Sequence, residues 1–83
     1  MKPDNSNHLK PSNEIRDLRL LEELEKNPIV SQRELSHKFG IALGVTNACL
    51  KRMARKGLIR IRGFNHRKIG YYLTPKGFAE KAK

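Results

Sequence analysis

In the second half of the chain, cations recur at intervals that gather them on one side of a local element. Lys51 and Arg55 stand four residues apart, close to one helical turn. Arg60 and Arg62 alternate with isoleucines, and His66, Arg67 and Lys68 follow in succession. This pattern suits one kind of chemistry, the holding of a polyanion by charge. The 83 residues carry 18 Lys plus Arg against 8 Asp plus Glu, for a net +10. The split is sharper along the chain: residues 1–30 hold 5 basic and 6 acidic residues (−1), residues 31–83 hold 13 and 2 (+11). A field that one-sided favours nucleic acid or an anionic membrane surface over a merely solvated basic face.

Other chemistries find little support. His8, His37, His66 and Cys49 are scattered, without the paired close spacing of zinc ligands. No phosphate-cradling glycine loop, nucleophile elbow or paired carboxylates in a plausible pocket can be traced. Neither enzyme activity nor a metal or cofactor is expected. Cys49 has Lys51, Arg52 and Arg55 nearby, which would favour a thiolate, but its place beside an apolar face predicts core packing. A single cysteine cannot form an internal disulfide and fits a reducing compartment. The N-terminal MKPDNSNHLKPSN lacks the apolar run of a signal peptide, and no stretch reaches membrane-spanning length. The expected setting is cytoplasmic and nucleoid-associated, with no membrane partner.

Which elements would position the cations? Residues 1–11 are polar and include Pro3 and Pro11, which predicts a flexible arm before a domain over 12–83. Ser12 or Asn13 can cap a first helix with an apolar stripe of Ile15, Leu18, Leu21 and Leu24, widened by Leu20; Glu22, Glu23 and Glu25 would form its solvated face. Asn27-Pro28 ends it, and Ile29-Val30 offers one rung of sheet at most. SQRE then places Ser31 and Glu34 as a capping box for a short helix closed by Gly40. A basic helix over about 43–56 follows, with Thr46, Leu50 and Met53 inward, Leu43, Cys49 and Ala54 beside them, and Gly57 as its stop. After Gly57 the period falls to two: Ile59 and Ile61, then Ile69, Tyr71 and Leu73, flank a basic loop as a hairpin does. Thr74-Pro75 starts a last short helix. The fold class is therefore mainly α with a small β-hairpin. It is a winged helix-turn-helix, with a three-helix core, a wing and a short C-terminal helix.

The segments SQRELSHKFGI, LGVTN-CLKRM, RKGLIRIRGF and YYLTPKGFAEKA resemble the MarR-like winged-helix transcriptional regulators, and more narrowly their small exopolysaccharide-associated members. The likeness runs from about Leu20 to Lys81, and its most specific parts are the LTPKG ending and the LG-x-x-N-x-C-L run. Ala42 departs from it, standing where relatives carry a Ser or Thr cap. The loop from Phe64 to Tyr71 is shorter than theirs. MarR proteins also continue beyond the position of Lys83 into long dimerisation helices, so a homodimer stays open.

The resemblance implies double-stranded DNA as partner, with the N-terminal half of the 43–56 helix in the major groove. Gly44, Ala48, Lys51 and Arg55 then face outward, flanked by Asn47 on one side and by Val45 and Arg52 on the other. Asn47 is the side chain there equipped for bidentate pairing with adenine; its alternatives are capping a local turn or facing water. Ala48 and Val45 suit thymine methyls, and Gly44 lets the helix start approach a phosphate. Ser31, Gln32, Arg33, Lys51, Arg55 and Tyr72 are expected phosphate contacts, with Ser31 also a cap. The wing, about residues 60–68, would bring Arg60, Arg62, His66, Arg67 and Lys68 to the minor groove or flanking phosphates, where narrow A·T-rich geometry deepens the negative potential. Phe64 should pack across its own hairpin. An RNA-binding or nucleoprotein-associated module using the same basic surface is the alternative function, and a protein-interaction winged helix comes third. The residues imply no small-molecule effector.

Overall fold

The computed structural model describes residues 4–65 and 68–82, with side chains from Glu14 onward. Six elements follow in order: α1 (Asp4–Lys26), α2 (Gln32–Phe39), α3 (Leu43–Arg55), β1 (Ile59–Asn65), β2 (Lys68–Leu73) and α4 (Pro75–Lys81). This is the winged helix-turn-helix that the residue pattern predicts. Its first helix is longer than expected. α1 takes in Asp4–Pro11, which composition assigns to a flexible arm, and Pro11 lies inside it rather than before it. Propagating a helix is far cheaper than nucleating one, so the packed turns from Leu18 onward can carry the helix outward through polar residues.

The core forms where the apolar stripes of α1, α2 and α3 meet. Leu20, Leu21, Leu24, Leu35, Cys49, Leu50, Met53 and the Thr46 side chain are almost wholly removed from water. Leu18, Phe39, Ala54 and Leu73 pack around them. Thr46 is tolerated there because its hydroxyl donates to the Ala42 carbonyl at 3.2 Å. Ile15 and Leu43 depart from the expected inward positions: they are 50% and 45% exposed. Helical period fixes a direction around the axis but not whether another element covers it, either at Ile15 in the middle of α1 or at Leu43 in the first turn of α3.

Local signals place the helix ends. Ser31 Oγ accepts from Glu34 N–H at 3.0 Å, while Glu34 Oε1 accepts from Ser31 N–H at 3.1 Å, so the capping box of α2 is complete. Gly40 closes that helix with φ 64°, a left-handed conformation that disfavours any Cβ. β1 and β2 pair antiparallel, with Ile59 opposite Leu73, Ile61 opposite Tyr71 and Gly63 opposite Ile69, and an irregularity between Gly63 and Asn65. Only the base of this hairpin is buried. Ile59 and Tyr71 reach the core, whereas Ile61, although it pairs with Tyr71, and Ile69 further along the ribbon remain exposed. Tyr71 N–H donates to Pro28 O at 2.8 Å, so β2 is tied to this connection at Pro28, and the Ile29-Val30 step itself is not a strand.

α1 is also tied down by charge. Arg52 Nη2 donates to both Asp17 carboxylate oxygens at 2.8 and 2.7 Å, Lys38 pairs with Glu23 at 3.1 Å, and Lys81 pairs with Glu25 at 3.1 Å. Glu23 and Glu25 therefore join helices instead of forming the purely solvated face expected of them. The reason lies outside their own helix: folding brings Lys38 and Lys81 to them across long stretches of chain.

Candidate nucleic-acid interface

α3 begins without a side-chain cap. Ala42 has the extended backbone of a cap residue (φ −66°, ψ 150°), but its methyl group can accept nothing from the first-turn amides. Those amides carry the positive end of the helix dipole. Around them Leu43, Gly44, Val45 and Ala48 are exposed. A Cβ built on Gly44 would meet nothing within 4 Å, so no packing inside the protein requires a glycine there. One and two turns further on, Lys51 and Arg55 are exposed on the same outer side. Arg52, which flanks that side in the sequence pattern, is turned onto Asp17 of α1. The hydrogen bond to Asp17 raises its pKa above the usual arginine value, and partial burial opposes this.

Asn47 does not cap a turn or simply face water. It is half-buried, and its Nδ2 donates to Gln32 Oε1 at 3.2 Å. Gln32 Nε2 in turn donates to the Tyr71 hydroxyl at 3.0 Å. The two ends of the Gln32 carboxamide are thus engaged within the protein. Ser31 and Arg33, its neighbours at the start of α2, are exposed.

On the wing, Arg60, Arg62 and Lys68 are exposed; His66 and Arg67 lie outside the described residues. Arg60 and Arg62 share a face with Phe64 and Tyr72, and these four side chains line a shallow cleft of about 300 Å³. Phe64 meets Tyr72 edge-on, with ring centroids 6.4 Å apart, which is the cross-hairpin packing expected of it. Tyr72 is half-buried. Tyr71 sits on the opposite face, against α2. Lys38, Arg52 and Lys81 are drawn into ion pairs with α1, whereas Lys51, Arg55, Arg60 and Arg62 enter none of those three pairs and stand in water.

A family model described as winged helix-turn-helix DNA-binding matches residues 14–60, more than half of the chain. The chain belongs to that family. Among solved structures, this winged helix is similar to FabT of Streptococcus pneumoniae in complex with DNA, at 26% identity and a TM-score of 0.71, over 82% of this chain and 49% of FabT. It is also similar in fold to a MarR family protein of Mycobacterium tuberculosis in complex with salicylic acid (21% identity, TM-score 0.72, 99% of this chain, 63% of that one). The transcriptional regulator PcaV of Streptomyces coelicolor, in complex with its natural ligand, matches at 16% identity and a TM-score of 0.68, over 99% of this chain and 69% of PcaV. No curated protein sequence gives a match. The architecture is MarR-like, and the chain spans about half to two thirds of the length of these structural relatives.

Within the winged helix, the residue missed by sequence reasoning is Tyr71. Alternation assigns it to the core, and it is 3% exposed, yet its hydroxyl also reaches α2. Nothing local signals that bond, because Gln32 and Tyr71 are 39 residues apart. Leu43 was likewise expected beside the core and instead joins the exposed start of α3. Cys49 is buried at 1% exposure, as its flank position predicts. Among the described residues no cluster of His, Cys, Asp or Glu could hold a metal ion, and no helix is long and apolar enough to cross a membrane.

Proposed function

We propose that this protein is a transcriptional regulator that places the start of α3 in the major groove of double-stranded DNA and its basic wing on the minor groove or flanking phosphates. The observation that carries this is the build of α3's outer side. An uncapped helix end, a glycine with open space over it, small or apolar neighbours and two exposed cations make a poor solvent-facing helix and a good close-approach surface. FabT, crystallised with DNA, shares this architecture, which supports the assignment. In this reading Asn47 pairs with adenine, Val45 and Ala48 meet thymine methyls, and Gly44 lets backbone amides near a phosphate. Ser31, Arg33, Lys51 and Arg55 bind phosphates, Gln32 contributes its backbone amide, and Tyr72 bonds a phosphate beside Arg60. His66, Arg67 and Lys68 complete the wing. The protein acts by binding and not as an enzyme, in the cytoplasm on the nucleoid. The narrower likeness to exopolysaccharide-associated regulators rests on the sequence segments alone.

Selection from a random duplex pool, followed by salt titration on the selected site, tests the proposal. Affinity should fall steeply with salt, with a log–log slope of about −0.9 per phosphate neutralised. No selected motif and no binding at low salt would remove it. The same basic surface also suits an RNA or nucleoprotein partner, and stronger competition by structured RNA than by duplex DNA would favour that reading.

A further inference from the structure

The chain of hydrogen bonds from Asn47 through Gln32 to Tyr71 joins the recognition helix, the start of α2 and the base of the wing. We infer that Gln32 and Tyr71 are positioning residues for base readout: they hold the Asn47 carboxamide in the orientation that selects adenine. The inference rests on the reading of Asn47 as a base contact.

The geometry has a direction. Asn47 Nδ2 donates to Gln32 Oε1 at 3.2 Å, and Gln32 Nε2 donates to Tyr71 Oη at 3.0 Å. Tyr71 is a rigid end-point, since its ring is 3% exposed in the core and its N–H is fixed to Pro28 O at 2.8 Å. With its nitrogen on the Tyr71 hydroxyl, Gln32 presents its oxygen to Asn47, and Asn47 directs its nitrogen inward. One N–H is committed to Gln32, and the remaining N–H and Oδ1 stay available. That pair is complementary to the N7 acceptor and N6 donor of adenine; guanine offers two acceptors, N7 and O6, and leaves Oδ1 facing another oxygen. An asparagine free to turn its amide over would lose part of this discrimination. Here the amide is held through Gln32 by a bond to Tyr71, which stands 39 residues from Gln32 in sequence and is buried in the core.

Three variants test this on purified protein and duplex DNA at one salt concentration: Asn47→Ala, Tyr71→Phe and Gln32→Ala, each with its fold checked by circular dichroism. Site selection with the parent and with Asn47→Ala identifies the base pair whose preference Asn47 sets. Tyr71→Phe keeps the ring and removes the hydroxyl alone. It should reduce the preference for A·T over G·C at that pair by about tenfold, with non-specific affinity and its salt slope unchanged. Gln32→Ala should lower the same preference, and Tyr71→Phe added to Asn47→Ala should change that preference no further. Unaltered preference in both Tyr71→Phe and Gln32→Ala would overturn the inference. So would an equal loss of affinity for every duplex, the mark of a packing role. If Asn47→Ala leaves the selected motif intact, the base contact itself fails and the inference falls with it.

Discussion

α4 begins behind Thr74, whose hydroxyl oxygen accepts from Gly77 N–H at 3.0 Å and donates to Gly57 O at 2.6 Å. α3 begins behind Ala42, which offers no side-chain oxygen at all. Each helix carries a glycine in its first turn, but for opposite reasons. At Gly77 a Cβ would overlap the Leu58 carbonyl oxygen, so the glycine exists because the protein itself comes close. At Gly44 a Cβ would meet only solvent. Glycine inside a helix costs roughly 0.5–1 kcal/mol relative to alanine, and an absent cap costs about 1 kcal/mol. α3 bears both without any compensation inside the fold, whereas α4 turns its cap and its glycine into docking. The contrast teaches that nothing packed against Gly44 inside the fold calls for the build of α3's end, which supports the proposal that this end meets a partner. The LTPKG segment, by contrast, is a device of the fold, joining α4 to the turn after α3.

The two glycines give the largest expected effect. Gly77→Ala must push α4 off the Leu58 carbonyl and should destabilise the protein by about 3 kcal/mol in urea unfolding, with the DNA affinity of the folded fraction unchanged. Thr74→Ala, which removes both the cap and the bond to Gly57, should lose about 1–2 kcal/mol. A Gly77→Ala protein as stable as its parent would show that the close approach at Leu58 relaxes freely, and would dissolve the comparison from α4's side.

At α3 the expected signs are opposed. Gly44→Ala should stabilise the fold by roughly 0.5–1 kcal/mol, and Ala42→Ser should add up to about 1 kcal/mol by capping the helix. In the proposed binding mode both should weaken DNA binding, one by placing a methyl group at the surface of approach and the other by occupying an amide proposed to bind a phosphate. Paired thermal unfolding and binding titrations check this. Stability and affinity rising together would mean that α3's bare end has no external task.

Much of this was legible in the residues. The Ser31/Glu34 box, the Gly40 stop and the Thr74-Pro75 start are local signals satisfied by atoms a few residues away, and the change of period after Gly57 marks a hairpin; each is realised. The candidate site was legible as a list of cations and one asparagine, because charge and side-chain chemistry do not depend on the fold. What could not be read were the decisions made by distant partners. Arg52 and Arg55 look alike on α3, yet Asp17 claims one of them. Asn47 and Gln32 look like two independent polar residues, yet they are bonded. Ile61 and Ile69 have the right alternation, but periodicity cannot say which positions another element covers: Ile61 is exposed although its cross-strand partner Tyr71 is buried.

Arg52 and Arg55 supply the smallest and most selective test, since they share a helix, a charge and a side chain. Arg52 is part-buried, and its guanidinium bonds both oxygens of Asp17, so Arg52→Ala should destabilise the protein by about 1 kcal/mol, near the upper end for a pair that water still reaches. Its removal takes no charge from the DNA-facing side, so the salt dependence of binding should stay as it was. Arg55 is exposed, and Arg55→Ala should alter stability by less than about 0.5 kcal/mol. If Arg55 neutralises one phosphate, the magnitude of the log–log salt slope should fall by about 0.9. Titrations on one selected duplex and on unrelated DNA should show the same change, because a phosphate contact carries no base information. The two substitutions remove the same charge from the same helix, so net charge alone predicts equal slopes for both variants. Unequal slopes, with the stability loss on Arg52 and the slope change on Arg55, are the expected result when one arginine is tied to Asp17 of α1 and the other meets a polyanion.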